Sequence, residues 1–273
     1  MRILPVIVLY NQNLFESKSY ISLLKDSDLN FVVYDNSPVQ MHDPLVFGDK
    51  IKYISDKGNG GVSGAYNYAA AFAKKNDFNW LLLLDQDTIF PEESLERYIL
   101  ACRQNPDIML FAPVLKLSDG RLLSPVKSFL RHSYAVKLTG GKRYPLSKIV
   151  PVNSGILINT GAFLSAGGYD EKVFLDFADF EFAERFSKLS DSFFLIDIEC
   201  VQDFSDIDSD MERLLKRFEI FCSCAGNYKK NGLFDSFCFG SVLVRRALGL
   251  TIRTGSPVFF KKVFSHYFSS NSF

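Results

Sequence analysis

The chain has 273 residues, of which 47% are hydrophobic and 15% aromatic, and its 31 basic side chains balance its 31 acidic ones. These numbers exclude an intrinsically disordered chain and allow one large domain, or a domain with an appendage, around a sizeable core. We expect no nucleic acid among its partners.

Short apolar runs alternate with helical spacing along about the first 115 residues, a pattern typical of βαβ units. Helices are predicted over Leu14–Leu24 and in GVSGAYNYAAAFAKK and PEESLERYILACRQ. Strands are predicted in ILPVIVLY, NFVVYDNS, IKYIS, WLLLLDQD and IMLFAPVL. The alternation indicates an α/β fold with a mainly parallel central sheet and helices on both faces.

The second half of the chain changes character. The basic segment from Lys116 to Ile149 is expected to be loop-like. A strand, a helix and a glycine-rich turn are predicted in SGILINTGAFLSAGGYDE, a helix late in VFLDFADFEFAERFSKL and a strand in FFLIDIECVQDF. Helices dominate from Asp208 onward, so we divide the chain into an α/β domain over residues 1–207 and a helical extension over 208–273.

This extension is basic and rich in phenylalanine. From Met211 to Phe273 there are ten Lys or Arg and three Asp or Glu, a charge of +7 that the rest of the chain balances. Two interpretations stay open: contact with acidic lipid headgroups, or a helical appendage whose cations are simply solvated.

Cysteine usage and the N-terminus predict a cytoplasmic protein. The five cysteines are odd in number, and CSC has the wrong spacing for a zinc knuckle, so reduced thiols are the simplest interpretation. The first residues lack the pattern of a signal peptide, and no apolar run is long enough to span a bilayer. Peripheral attachment to the inner face of the cell membrane remains open through the extension.

Polar side chains follow three of the predicted strands. Tyr10 and Asn11 follow the first strand, Asp35 ends the second, and Asp85 and Asp87 end the leucine-rich strand. Ligands of parallel sheets bind beyond the carboxyl ends of the strands, so these groups are expected to converge on one edge.

Asp85 and Asp87 form an acidic pair separated only by Gln86. Two carboxylates that repel each other at a strand end are best explained by a shared cation, and their hard oxygens suit Mg²⁺ or Mn²⁺. The structural alternative is that one acid caps the next helix and the other is solvated.

Two further stretches contain candidate binding or catalytic residues. The glycines of KGNGGVSGAYNYA would let the backbone approach a ligand at a helix start, although a flexible turn is the alternative. In FLDFADFEFAERF, Asp176, Asp179 and Glu181 lie among phenylalanines, where a carboxylate becomes a better base. Capping of the helix by Asp176 or Asp179 is the alternative.

Taken in order, six motifs resemble the family-2 glycosyltransferases, which have the GT-A fold, and most of all their bacterial rhamnosyltransferase-like branch. The motifs are VLYNQN, VVYDNSP, GNGGVSGAYNYA, LLDQDT, SGILINTGAFLSAGGYDE and FLDFADFEFAER. They cover roughly the first 205 residues, so the resemblance implies a GT-A catalytic domain over 1–207.

The resemblance also implies roles at matching positions. Asp179 matches the catalytic base, and Asp87, assisted by Asp85, matches the cation and diphosphate motif. The nucleotide would be bound by Tyr10, Asn11, Asp35, Asn59, Asn67 and Asp85. The acceptor side would be lined by Asn153, Ser154, Asp176 and Glu181. A histidine that often adds a cation ligand in the family is absent, and Gln202 and Asp203 stand near its place. Either Asp203 substitutes for it, or Asp87 and the phosphates alone hold the cation.

The implied function is inverting transfer of a sugar from dTDP-rhamnose or a UDP-hexose to a saccharide acceptor. That acceptor would be lipid-linked, in the synthesis of O-antigen or capsule. Two other classes stay open: a nucleotidyltransferase with a metal-bound nucleotide, and a non-catalytic relative that binds carbohydrate or membrane. The glycine-rich basic motif usual near the first strand of nucleotidyltransferases is missing from LYNQNLFESKSY.

Overall fold

A computed structural model describes residues 1–203 and 210–268. The strands are β1 (Ile3–Leu9), β2 (Phe31–Asp35), β3 (Ile51–Ser55), β4 (Trp80–Asp85), β5 (Thr88–Ile89), β6 (Leu110–Leu117), β7 (Leu122–Ser124), β8 (Val126–Phe129), β9 (His132–Ala135), β10 (Lys142–Pro145), β11 (Ile149–Val150), β12 (Ile156–Asn159) and β13 (Ser192–Gln202). The helices are α1 (Gly61–Lys75), α2 (Ser94–Gln104), α3 (Thr160–Ser165), α4 (Ala178–Phe186), α5 (Met211–Asn227), α6 (Leu233–Thr254) and α7 (Val258–Val263).

The central sheet runs in the order β10-β13-β6-β12-β4-β1-β2-β3. Strands β1 to β4 are mutually parallel, and β13 is parallel to β6, whereas β12 inserts antiparallel between β4 and β6. Every residue of β1 and all four leucines of β4 are buried, as expected for strands covered on both faces. One apolar cluster lies on each face, and the predicted mainly parallel α/β sheet with helices on both faces is confirmed.

Two predicted elements were wrong in detail. The segment expected to be loop-like contains β7 to β11, and β11, β8 and β9 form a separate antiparallel sheet. The strands of this sheet are short and mostly exposed. They were not predicted because exposed strands do not need a continuous run of apolar residues. The helix predicted over Leu14–Leu24 is two short turns, interrupted where Ser17 and Lys18 bond to the carbonyl of Gln86.

The helices after residue 210 form a third apolar cluster with their own phenylalanine core. Phe174, Phe177 and Phe180, which precede or begin α4, pack against this cluster. The predicted domain boundary at 207/208 lies outside the described residues, so the division stays a prediction. Among the helices of the described ranges, none is long and apolar enough to cross a bilayer.

The start of α1 approaches the chain before α4 very closely at Gly61. Its φ is +64°, and a Cβ at this position would lie 2.2 Å from the carbonyl oxygen of Phe174. We expect Gly61→Ala to lower the free energy of unfolding by about 2–4 kcal/mol, because strain and a backbone clash add. Gly120→Ala is the control. Its φ is +84°, but no atom of the described residues lies within 4 Å of a Cβ at this position, so a loss of about 1 kcal/mol is expected. Chemical denaturation measures both; equal losses would contradict the clash.

Candidate active site

The carboxyl ends of β1, β2, β4 and β13 lie on one edge of the sheet, where the antiparallel β12 begins. Tyr10, Asp35, Asp85 and Gln202 stand at or just after these strand ends, and Asn153 precedes β12. The edge therefore gathers polar side chains that are far apart in the sequence, as the rule for parallel sheets predicts.

The acidic pair is bridged by an amide. Gln202 Nε2 lies 3.1 Å from Oδ1 of Asp87 and 3.4 Å from Oδ2 of Asp85. Burial raises the pKa of both carboxyls, and the charges of Asp87 and Asp179 raise that of Asp85 further. Helix α2 has no side-chain cap, so neither acid plays the capping role considered above.

Asp85 is fixed by a hydrogen-bond network on its other side. The Tyr66 hydroxyl donates to Asp85 Oδ1 over 3.1 Å, and Asn153 Nδ2 donates to Tyr66 and lies 3.4 Å from the same carboxylate oxygen. The backbone N–H of Asp85 donates to Ser154 Oγ over 2.9 Å. Asn153 and Ser154, predicted on the acceptor side, therefore lie directly beside the acidic pair.

Asp179 joins the same network from the first turn of α4. Its carboxylate accepts from the Tyr169 hydroxyl over 2.9 Å and from the Asn153 backbone N–H over 3.1 Å. Burial raises its pKa to about 6, although these two hydrogen bonds act in the opposite direction. Asn153 thus connects Asp179 to Asp85, and carboxylates from two remote motifs share one site.

The backbone before Asp179 is held by the C-terminal helices. Phe177 directly precedes α4 and has a φ of 64°. No side-chain hydrogen bond caps the helix, so neither Asp176 nor Asp179 plays that role. The Phe177 ring packs on Phe221, 4.8 Å between centroids, and Asp176 forms a two-pronged ion pair with Arg217. Asp176, predicted on the acceptor side, is therefore engaged in anchoring this turn.

Glu181, the second acid predicted on the acceptor side, is nearly buried and pairs with Arg185 one turn later. Arg185 also donates to the carbonyls of Ala166 and Gly168. This ion pair ties α4 to the glycine-rich turn that carries Tyr169.

The predicted nucleotide residues divide into two groups. Tyr10 is 46% exposed, and Asn11 and Asn59 have positive φ angles of 51° and 53° at turns on the sheet edge. Asp35 is fully buried and accepts from the N–H groups of Ser37 and Met41 and from the Tyr53 hydroxyl. The first group is open to a ligand, whereas the oxygens of Asp35 already have partners within the protein.

Asn67 is engaged in the same way as Asp35. Its Oδ1 accepts from Tyr169 N–H over 2.8 Å, and its Nδ2 donates to the Tyr169 carbonyl and to Glu171. Asn67 thus anchors the turn that places the Tyr169 hydroxyl on Asp179.

Some residues of this edge were missed by sequence reasoning. Asp56 accepts from Gly58 N–H and Gly60 N–H and so shapes the glycine-rich loop. Its place two residues before Gly58 was the available signal, since Asp commonly bonds to the backbone two residues on. Tyr66 and Tyr169 gave no signal, because nothing local shows that they meet carboxylates.

Whether this site can bind a divalent cation depends on the oxygen atoms near Asp87. Asp203 forms an ion pair with Lys18, and its N–H donates to the Asp87 carbonyl. Within residues 1–203 and 210–268 there is no cluster of three acidic, histidine or cysteine side chains suited to a metal. Gln202 Oε1, however, is buried and has no hydrogen-bond partner among these described residues. A 180° flip of the Gln202 amide would exchange Nε2 and Oε1 and place Oε1 beside the two carboxylates. Three such oxygen ligands suit Mg²⁺ or Mn²⁺.

The sequence is similar to those of known glycosyltransferases. Residues 6–165 match the profile of glycosyl transferase family 2. A dTDP-rhamnosyl transferase, RfbF of Shigella flexneri, is 26% identical over 187 residues, which span 67% of this chain and 62% of that protein.

Solved structures of S. aureus TarS share the fold. The complex of TarS 1–349 with UDP superposes with a TM-score of 0.50 at 12% identity, covering 90% of this chain and 71% of that one. The complex with UDP-GlcNAc gives a TM-score of 0.50 at 11% identity and covers 98% and 74%. The predicted GT-A fold and the predicted resemblance are thereby confirmed, and the chain belongs to glycosyl transferase family 2.

Proposed function

We propose that this glycosyltransferase inverts configuration as it moves a sugar from a nucleoside diphosphate to a saccharide hydroxyl, with Asp179 as the base. The observation that carries the proposal is the network in which Asn153 links Asp179 to the acidic pair at the end of β4. A base and a diphosphate-binding group on one edge suit a single displacement, in which the acceptor attacks opposite to the leaving group.

Asp179 is poised to take a proton near neutral pH. Burial raises its pKa to about 6, so it is ionised at pH 7 yet more basic than a solvated carboxylate. The Tyr169 hydroxyl and the Asn153 N–H orient the carboxylate. The proton of the acceptor hydroxyl moves to Asp179 as its oxygen bonds to the anomeric carbon and the nucleoside diphosphate departs.

Asp87, Asp85 and Gln202 would hold a divalent cation, Mn²⁺ or Mg²⁺. Such a cation supplies positive charge to the diphosphate that leaves. We favour Gln202 over Asp203 as the third group. Gln202 contacts both acids, and its buried oxygen has no partner within the described part of the chain, whereas Asp203 pairs with Lys18.

The donor is proposed to be dTDP-rhamnose or a UDP-hexose. The name of the Shigella relative supports the first, although the match spans 62% of that protein. The acceptor is proposed to be a lipid-linked saccharide of O-antigen or capsule synthesis, reached by peripheral attachment to the cytoplasmic face of the membrane.

A donor screen with purified protein tests the proposal. The chain is incubated with dTDP-rhamnose, UDP-glucose or UDP-galactose, with and without Mn²⁺, and released nucleoside diphosphate is measured. Release of pyrophosphate from a nucleoside triphosphate and a sugar phosphate would instead identify a nucleotidyltransferase. Binding of nucleotide sugars without turnover, with every acceptor supplied, would favour the non-catalytic relative.

Tyr169→Phe gives a finer test of the base. Loss of the hydroxyl removes a hydrogen bond that stabilises the charged form of Asp179, so the pKa of Asp179 should rise above about 6. We expect the acid limb of kcat/KM against pH to move upward by roughly one unit. Ring stacking on Phe182, 4.6 Å between centroids, is kept in the variant.

Tyr144→Phe is the matched control. Its hydroxyl bonds to Thr139, and Tyr144 pairs with the start of β13, at the opposite end of that strand from Gln202. The pH profile of Tyr144→Phe should equal that of the wild type. An unmoved acid limb in Tyr169→Phe would contradict the assignment of that limb to Asp179.

A further inference from the structure

Helix α6 has two apolar faces, although an amphipathic helix needs only one. Phe239, Leu243 and Ala247 are buried in the C-terminal core. The opposite face carries large apolar side chains that are exposed to between 42% and 76%, and we call them the outer stripe: Leu233, Phe234, Phe237, Val244, Leu248 and Ile252. At 3.6 residues per turn they lie within an arc of about 100° and extend about 30 Å along the helix. Ser241, which is hydrogen-bonded to His132, lies in this arc between Phe237 and Val244. Exposed apolar side chains on both sides of it indicate an interaction surface.

A strained hairpin lies beside the first turn of this stripe. The turn between β8 and β9 holds Leu130 and Arg131 at φ angles of 48° and 65°, a conformation that glycine or asparagine normally supplies. Arg131 fixes the turn through ion pairs with Asp235 of α6 and Glu184 of α4. The strain is thereby tolerated, and Phe129 and Leu130 stay exposed at the tip, to 67% and 44%.

The charges around the stripe favour an acidic surface. Between Gly232 and Phe268 the sequence has five cations and one acid, Asp235, which is paired with Arg131. Two of these cations are engaged within the protein, because Lys262 pairs with Glu219 and Arg246 lies over the ring of Phe221. The other three, Arg245, Arg253 and Lys261, are exposed. Arg245 lies near the midpoint of the stripe, so a two-fold contact between two copies through this face would bring two Arg245 guanidinium groups together. Like charges oppose that contact, whereas anionic headgroups would neutralise them.

We propose that the outer stripe, with the tip of the β8–β9 hairpin, lies in the interface of a bilayer that contains anionic lipid. The apolar side chains enter the boundary between headgroups and acyl chains, and the cations contact the headgroups. This inference deepens the proposed function, because Arg131 joins the surface to α4, the helix of Asp179, and so holds the base at a set distance from a lipid-linked acceptor.

Flotation with vesicles of phosphatidylglycerol and phosphatidylcholine tests this surface on the full chain. The wild type is expected to float with these vesicles, less so at high salt, and weakly with pure phosphatidylcholine. Phe234→Ser combined with Phe237→Ser should lower the partition coefficient at least about tenfold, since two exposed rings no longer enter the bilayer.

The matched control is Leu45→Ser combined with Val46→Ser, which removes two adjacent exposed apolar side chains in the turn before β3, outside the C-terminal cluster. It should float like the wild type, and calorimetric titration with UDP and Mn²⁺ should give the same affinity for all three proteins.

Failure of the wild type to bind anionic vesicles overturns the inference, as does undiminished flotation of the Phe234 and Phe237 variant. Light scattering that shows a wild-type dimer, split by those two serines, would mean that a second copy covers the stripe. Loss of UDP binding in every protein would instead count against the proposed function.

Discussion

Replacing Asp179 by asparagine is expected to lower kcat for sugar transfer roughly 10²- to 10⁴-fold, the usual contribution of a general base. The amide has nearly the shape of the carboxylate but does not take up the acceptor proton. The Tyr169 hydroxyl can turn to accept from the new amide, so the network around Asn153 need not break. Donor affinity, measured by calorimetry with UDP and Mn²⁺, should stay close to that of the wild type.

The pH dependence of the wild type supplies an independent readout. The base acts as the carboxylate, so kcat/KM should fall at least about tenfold per pH unit below the pKa of about 6. The same pKa shift affects stability. The pKa of Asp179 in the folded protein lies above the ordinary value of 3.8, so the free energy of unfolding of the wild type falls as pH rises from about 4 to about 6. The asparagine variant does not titrate and should therefore gain stability relative to the wild type at pH 8.

Asp191→Asn is the control for Asp179→Asn, because it makes the same chemical change at an exposed carboxylate just after α4. It should transfer sugar at the wild-type rate. Transfer by Asp179→Asn within a factor of about two of the wild type would mean that another group takes the proton.

The elements predicted best from the sequence are the buried ones, because burial makes their apolar pattern unambiguous. The leucines of β4 and the alanine-rich α1 were located because an unbroken apolar run and a helical repeat each fit one kind of buried element. The short strands β8 to β10 were missed because their side chains are largely exposed, so the pairing of edge strands rather than local pattern decides their conformation.

The candidate site was predicted as a set of residue types but not as a set of contacts. Asn67 bonds to Tyr169, 102 positions later, and Asp176 to Arg217, 41 positions later. No local pattern encodes such partners, so residues predicted to contact substrate are instead engaged within the protein. Gln202 shows the reverse. The resemblance leads us to expect a histidine near this position, yet the glutamine found there bridges both acids of the pair.

Replacing Asp87 by alanine is expected to abolish the cation dependence of donor binding. In the wild type, Mn²⁺ should strengthen binding of UDP or dTDP at least about tenfold, about 1.4 kcal/mol, because the diphosphate and the acids share the cation. Without the Asp87 carboxylate, the affinity with Mn²⁺ should fall to the value measured with EDTA. Asp28→Ala, which removes a fully exposed carboxylate, is the control for the change in net charge and should keep the full Mn²⁺ effect.

Two neighbouring substitutions separate the candidates for the third cation-binding group. Gln202→Leu removes the buried amide that contacts both acids, and should weaken Mn²⁺ binding about tenfold or more in titrations followed by electron paramagnetic resonance. Asp203→Asn should change that affinity by less than about threefold, because the carboxylate pairs with Lys18. The reverse order of the two effects would assign the role to Asp203, and unchanged Mn²⁺-dependent UDP binding in Asp87→Ala would remove the acidic pair from the cation site altogether.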